Sequence, residues 1–261
     1  TFGLLLWLAA VAATIALHKN FVRHGINADA LNVVALVVVA GVLGAKTWHE
    51  LQSLADLRFA MREIVAPGWH HPLDVLVGFL HWFQAGFAWF GGMLAGILML
   101  MYQGRVAKVG AIRMLDLAAP AAAIGYGVGR IGCLTSGDGD YGIVTTLPWG
   151  VHMRPDALVP TTNLVQPTPV YELLFSLALA WLLWRLGAKT RPLGWLTGLY
   201  LVLSGVGRFL VEFVRINPRI YWGMSNAQVA AVGSIIVGVI VMLVTHRRAV
   251  VAHSEKVATT V

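Results

Sequence analysis

The chain has 261 residues, of which 58% are hydrophobic and 12% charged, and its mean hydropathy is +0.73. A water-soluble domain carries roughly 25% charged residues, so the composition excludes an ordinary soluble fold and points to an all-α polytopic membrane protein; the apolar runs do not alternate as a transmembrane barrel requires. The net charge of +7 fits loops facing an anionic lipid surface rather than nucleic acid, and the single cysteine allows no intrachain disulfide.

The chain opens directly in an apolar stretch without a basic leader, so no cleavable signal peptide is expected; it starts at Thr1, and a start segment is expected to have preceded that residue. Seven spans follow from the apolar runs. In order they are about Phe2–Leu17, Leu31–Trp48, Phe87–Tyr102, Met114–Leu134, Val170–Leu186, Leu193–Val214 and Ala227–Thr245. Pro120 predicts a kink or local break in the fourth. Asp74–Phe83 is apolar but short, and reads as an interfacial or re-entrant helix. No repeat, heptad or low-complexity tract divides the chain, which reads as one membrane-embedded domain over residues 1–261.

Alternate short loops are basic: Lys19 and Arg23 after the first span, Arg105, Lys108 and Arg113 after the third, Arg185, Lys189 and Arg191 after the fifth, and Arg247, Arg248 and Lys256 after the seventh. Basic loops stay cytoplasmic, which puts the N-terminus outside and the C-terminus in the cytoplasm. The two longest loops, about Gln52–Gly86 and Thr135–Pro169, then fall on the outer face and are long enough to form a cap. Arg58, Arg62, Arg154 and Arg219 are exceptions in outer loops, and Arg130, Arg208 and Arg215 sit at outer span ends.

Those last arginines are the candidates for chemistry. A charge within an apolar span costs roughly 2.5–3.5 kcal/mol at mid-membrane and marks a functional site by default. Arg208, Glu212 and Arg215 are spaced i, i+4, i+7, one stripe of the sixth span, and Ser204 extends it a turn inward. Two arginines and one carboxylate leave positive charge for an anionic ligand; the alternative is an ion-paired stripe that only locks helices together. Arg130 ends the fourth span among Gly125, Gly127, Gly129 and Gly132, where a ligand or a neighbouring backbone could approach closely. A guanidinium fork suits a phosphodiester.

The glycine-rich loop Ser136–Gly142 exposes backbone N–H groups and carries Asp138 and Asp140. It lacks the downstream glutamate of a calcium loop, so these carboxylates read as a tight turn or as a lip that orders the site or helps remove a proton. Cys133 reads as an inert small residue, and His70–His71 lacks metal-ligand spacing. No metal or cofactor is expected. His49, Glu50 and His81 are weaker candidates for proton transfer. Thr168 is placed to cap the fifth span, with Glu172 near its first turn and able to pair with a site arginine.

These motifs together resemble the bacterial phosphatidylglycerol–prolipoprotein diacylglyceryl transferase family. The likeness rests on Trp89-Phe90-Gly91-Gly92, Gly129-Arg130-Ile131-Gly132, Asp140-Tyr141-Gly142 with Leu147-Pro148-Trp149-Gly150, Pro167 to Glu172, Gly207 to Arg215, and Met224-Ser225-Asn226-Ala227-Gln228. It implies seven spans in the bacterial inner membrane with the site toward the outer leaflet. It implies transfer of a diacylglyceryl group from phosphatidylglycerol to the lipobox cysteine of a prolipoprotein signal peptide, forming a thioether and releasing glycerol phosphate. It assigns the phosphate to Arg130 and Arg208, with Glu212 and Arg215 supporting, and a role in the loop to Gly142. Beside these, Asp140 is expected to take part in the chemistry, and Tyr141, Asp138, Glu172, Gly91, Gly92 and Ser204 to contact substrate.

Phe90 stands where many members have His, Cys133 where many have Asn, and Phe2 where many have Tyr. The base is open among Asp138, Asp140, Glu172 and His49. Two other readings stay open: a paralogue that binds phospholipid without transfer, and an anion transporter. The second is disfavoured because the sixth span is apolar beyond Ser204, at Leu199, Leu201, Val202 and Leu203.

Overall fold

The computed structural model describes residues 2–68, 70–84 and 86–258. Its helices are α1 (Phe2–Arg23), α2 (Ala30–Gln52), α3 (Leu54–Val65), α4 (Pro72–Gln84), α5 (Trp89–Val106), α6 (Ala111–Ser136), α7 (Thr168–Leu186), α8 (Trp195–Val211) and α9 (Asn226–Ala258). Two small antiparallel ladders join them: β1 (Val151–His152) with β2 (Leu164–Val165), and β3 (Arg219–Tyr221) with β4 (Met224–Ser225). The chain is an all-α polytopic membrane protein. Among the described residues six helices have the length and apolarity to cross a bilayer: Gly3–Arg23, Ala30–Gln52, Ala111–Ser136, Thr168–Leu186, Trp195–Val214 and Asn226–Ala249. The expected third span forms as α5, but its last turns carry Tyr102, Gln103 and Arg105, and it is not among the six.

Three expectations are corrected. The loop expected over Gln52–Gly86 is mostly helical, because it holds α3 as well as α4. Pro120 does not break α6, which runs continuously through it; Asn20 of α1 donates to the Leu117 carbonyl at 2.7 Å just ahead of the proline, supplying a bond from a neighbouring helix. Several helices outrun their apolar cores, as α1 does through Lys19 and Arg23; polar residues at a helix end extend it into the interface without interrupting the ladder.

The chain divides into two units. Within Leu31–Ala111, α2 and α5 approach so closely that a Cβ on Gly44 would fall 2.6 Å from the Gly91 carbonyl oxygen and one on Gly92 3.1 Å from that of Gly41. Gly91 and Gly92, expected at the substrate, are therefore helix-packing positions here. Buried Lys46 donates to the Trp82 carbonyl at the end of α4 (2.7 Å) and pairs with Glu50 (2.8 Å). That pair removes Glu50 from the candidates for proton transfer, and the His49 ring packs against Gly86.

In the other unit, α6 and α7 share a core of Ala119, Ala123, Leu179, Ala180 and Leu183, against which Leu196, Leu199, Tyr200 and Leu203 of α8 pack. Helices α8 and α9 meet through small residues: a Cβ on Gly198 would lie 2.9 Å from the Gly238 carbonyl oxygen, and one on Gly205 2.8 Å from that of Ala231. Buried Asp116 of α6 accepts from the N–H groups of Gly194 (2.6 Å) and Thr197 (2.8 Å) and from the Thr197 hydroxyl (2.6 Å), so it caps the start of α8 from a neighbouring helix. Arg130 lies fourteen residues beyond Asp116, and Arg208 fourteen beyond Gly194. At 1.5 Å per residue both intervals rise about 21 Å, which brings the two arginines to one level.

Candidate active site

Four segments converge at that level. Helix α6 supplies Tyr126, Arg130 and Cys133; the following loop supplies Asp138 and Asp140; α7, just past its first turn, supplies Glu172; and α8 with the 3-10 turn Glu212–Val214 supplies Arg208, Glu212 and Arg215. Glu172 is the hub. Its Oε1 accepts from Arg208 Nη1 (2.9 Å) and the Tyr126 hydroxyl (2.5 Å), and its Oε2 from Arg130 Nε (2.9 Å). Arg130 Nη2 sits between Glu172 Oε2 (2.8 Å) and Asp140 Oδ2 (2.5 Å). Glu212 pairs with Arg208 (3.0 Å) and Arg215 (3.5 Å) and accepts at Oε1 from Ser225 Oγ (2.9 Å) and Asn217 Nδ2 (2.5 Å).

This arrangement corrects the charge balance expected from the sequence. Three arginines are ion-paired with three carboxylates, Asp140, Glu172 and Glu212, so the surplus of positive charge expected from the stripe is absent. Accessibility then separates the arginines. The Arg215 side chain is 3% exposed and tied to Asp140, Glu172 and Glu212. Arg208 is 25% exposed, and among the described residues its Nε has no partner. Arg130 is intermediate, at 14%. Arg215, expected to bind substrate, is thus a buried strut, and the open edge belongs to Arg208 and Arg130.

The loop is held by backbone. Gly142 bridges Arg215 and donates to the Gln166 carbonyl at 2.8 Å, while Ile143 N donates to the Val214 carbonyl at 2.8 Å. A Cβ at Gly142 would sit 2.5 Å from the Val214 carbonyl oxygen and 2.9 Å from Thr168 Cγ2, so a side chain there would push the loop off α7 and the end of α8. Thr168 does not cap α7 with its side chain; its hydroxyl donates to the Asp140 carbonyl at 2.5 Å. Tyr141, expected at the substrate, turns inward into a small core with Met153 and Val165. Ser204 turns its hydroxyl back to the Leu201 carbonyl at 3.4 Å, within its own helix.

Burial would raise the Asp140 carboxyl, but the charges of Arg130 and Arg215 and the bonds they donate more than offset it, holding it below the usual carboxylate value. Asp138 accepts from the Asp140 N–H at 3.2 Å and has no arginine partner among the described residues. Ligand atoms of Cys133, Asp138 and Asp140 lie within 4.8 Å of one another. Arg130 already reaches into this group, donating to Cys133 Sγ at 3.4 Å and ion-paired with Asp140 at 2.5 Å, and its positive charge opposes a cation there.

Tyr126, Asn217 and Ser225 join the cluster in addition to the residues expected from the sequence. Tyr126 stands one helical turn before Arg130, and Ser225-x-x-Gln228 is a capping-box pattern: Gln228 N donates to Ser225 Oγ at 3.2 Å and Ser225 N to Gln228 Oε1 at 3.0 Å. Both signals were available in the pattern. The Phe2 side chain lies outside what the structure describes.

A family model described as prolipoprotein diacylglyceryl transferase matches residues 1–244. A phosphatidylglycerol–prolipoprotein diacylglyceryl transferase of Clostridium tetani is 29% identical over 245 residues, covering 92% of this chain and 90% of the relative. A Clostridium perfringens protein of that name, numbered 2, is 29% identical over 92% of this chain and 88% of its own length. One from Geobacter sulfurreducens is 30% identical over 82% of this chain and 76% of its own.

Proposed function

The chain belongs to the prolipoprotein diacylglyceryl transferase family, and from that premise we propose that it moves the diacylglyceryl group of phosphatidylglycerol onto the lipobox cysteine of a prolipoprotein signal peptide. The observation that carries the assignment to this site is the convergence of Arg130 and Arg208 on one carboxylate, with the free edge of Arg208 exposed.

The lipid approaches from the side, with its tails in the bilayer and its phosphate on Arg208 and Arg130. The substrate thiolate attacks the glyceryl carbon that bears the phosphate oxygen. A C–S bond forms, the C–O bond breaks, and its electron pair leaves on glycerol phosphate, whose added negative charge the two guanidinium groups stabilise. The thiol proton passes to a base. Arg130 and Arg215 hold Asp140 in its ionised, paired form and Glu172 is shared by three arginines, so Asp138 is the carboxylate left for that task. Arg215, Glu212 and Tyr126 position the two lipid-facing arginines. The alternation of basic loops supports a bacterial inner-membrane location with the site toward the outer leaflet.

Complementation of a transferase-depleted strain, together with transfer from labelled phosphatidylglycerol to a lipobox peptide by the purified protein, tests this reading. Growth and a labelled thioether are expected. A folded protein that binds the phospholipid and yields no labelled peptide would instead be a binding paralogue.

A further inference from the structure

The connection between α8 and α9 has two unlike sides. Its root is polar and belongs to the cluster: Asn217 and Ser225 both donate to Glu212. Its outer side is apolar and bare. Exposure runs off the end of α8 through Leu210, Phe213 and Ile216 to Ile220 and Tyr221, and ends at Trp222, which is 91% exposed. The one charge between Ile216 and Met224 is Arg219, exposed, with its guanidinium 5.7 Å from the Phe213 ring centroid.

The turn makes this exposure harder to dismiss. Trp222 and Gly223 have φ of +48° and +78°, the left-handed pair of a two-residue hairpin turn. Glycine or asparagine takes the first of those positions cheaply, whereas a bulky side chain there is an outlier. A strained tryptophan with almost no cover from its own chain gains nothing from folding.

We propose that the Arg219–Ser225 hairpin is a membrane-interface wedge, with Ile220, Tyr221 and Trp222 seated in the headgroup boundary of an anionic bilayer, in the leaflet that holds Arg208. The occupant follows from continuity. The hairpin joins two spans, Trp195–Val214 and Asn226–Ala249, so it stands where both leave the hydrocarbon. Tryptophan and tyrosine favour that boundary, a lone arginine with no acidic neighbour in the turn favours anionic headgroups, and an exposed apolar patch this continuous marks an interaction surface. Because the root bonds to Glu212, which pairs with Arg208, the wedge fixes the height of the arginine cluster against the lipid phosphates. This inference needs a membrane-spanning chain and does not need transferase activity.

The test is nitroxide depth measurement on full-length protein in phosphatidylcholine–phosphatidylglycerol vesicles. Labels are placed at Trp222→Cys and, separately, Ile220→Cys, in a Cys133→Ser background, with Asp156→Cys in the 135–169 loop as an aqueous reference. Labels at 220 and 222 are expected to collide more with oxygen than with a water-soluble nickel chelate and to lie about 5–10 Å below the phosphates. The label at 156 is expected to show the reverse. Labels at 220 and 222 as open to nickel as the one at 156 would overturn the proposal. So would shielding that appears only when a lipobox peptide is added, which would make the hairpin a peptide-docking surface. Neither result depends on turnover, so failure here leaves the transferase reading to its own test.

Discussion

Arg130 and Arg208 grip opposite oxygens of one carboxylate: Arg130 Nε binds Glu172 Oε2 and Arg208 Nη1 binds Glu172 Oε1, both at 2.9 Å. Two like charges from different helices are held side by side because an anion already sits between them. The same carboxylate sets their separation, and the hydroxyl of Tyr126 sets its own orientation.

Glu172 is therefore expected to be the least tolerant position of the cluster. Removing a buried partner strands its neighbours and costs roughly 3–5 kcal/mol. Glu172→Ala should lower Tm markedly and abolish transfer. Glu172→Gln keeps the shape and one acceptor, and should retain more stability while losing most activity. Thermal unfolding in detergent beside a transfer assay checks both; unchanged Tm in Glu172→Ala would be inconsistent with a central strut.

Exposure predicts that the arginines fail differently. Arg215→Ala removes a side chain 3% exposed from three carboxylates and should act chiefly through Tm. Arg208→Lys keeps the charge but loses the fork at the open edge. It should leave Tm within a few degrees and cut kcat/KM at least tenfold. Equal Tm losses in the two variants would remove the distinction between strut and ligand.

Asp140 gives a pH signature with a definite sign. Its folded-state value lies below that of a free carboxyl, about 3.9. Its contribution to stability is complete above the unfolded value and is lost as pH falls through the folded one. The Tm difference between the wild type and Asp140→Asn should hold steady between pH 8 and 5 and narrow below about pH 4. A gap that widens on acidification would mean the opposite shift.

The membrane class and the arginine stripe were legible because each is a local pattern. Apolar length gives a span, and spacing gives a face. What was not legible is long-range. Glu172 lies 42 residues from Arg130 and 36 from Arg208, so no spacing rule announces that it neutralises both. The count of two arginines against one carboxylate failed for that reason. Helix α3 gives no sequence signal of a span because its apolar face is short and interleaved with Arg58, Arg62 and Glu63, with no unbroken apolar run. Tyr141 was placed at the substrate by its motif, whereas packing with Met153 and Val165 decides where its ring goes.

Asp116 sits at the far end of the same helix pair and is expected to matter at a distance. Asp116→Ala leaves two N–H groups and a hydroxyl at the start of α8 without their acceptor. It should lower both Tm and kcat by loosening the register that levels Arg208 with Arg130. Asp116→Asn, which keeps one carbonyl acceptor, should recover part of each. Full kcat in Asp116→Ala would show that the clamp does not set the arginines.

The central claim is that Arg130 and Arg208 act together on one phosphate, and a double-mutant cycle measures it directly. Purified Arg130→Ala, Arg208→Ala and the double variant would be compared by kcat/KM for transfer from phosphatidylglycerol to a lipobox peptide, each with its fold verified by thermal unfolding. Groups that work as a unit are strongly non-additive, so each single change should cost at least about a hundredfold and the second should add little to the first. Additive losses in folded protein, or unaltered transfer in Arg130→Ala, would contradict a shared phosphate grip.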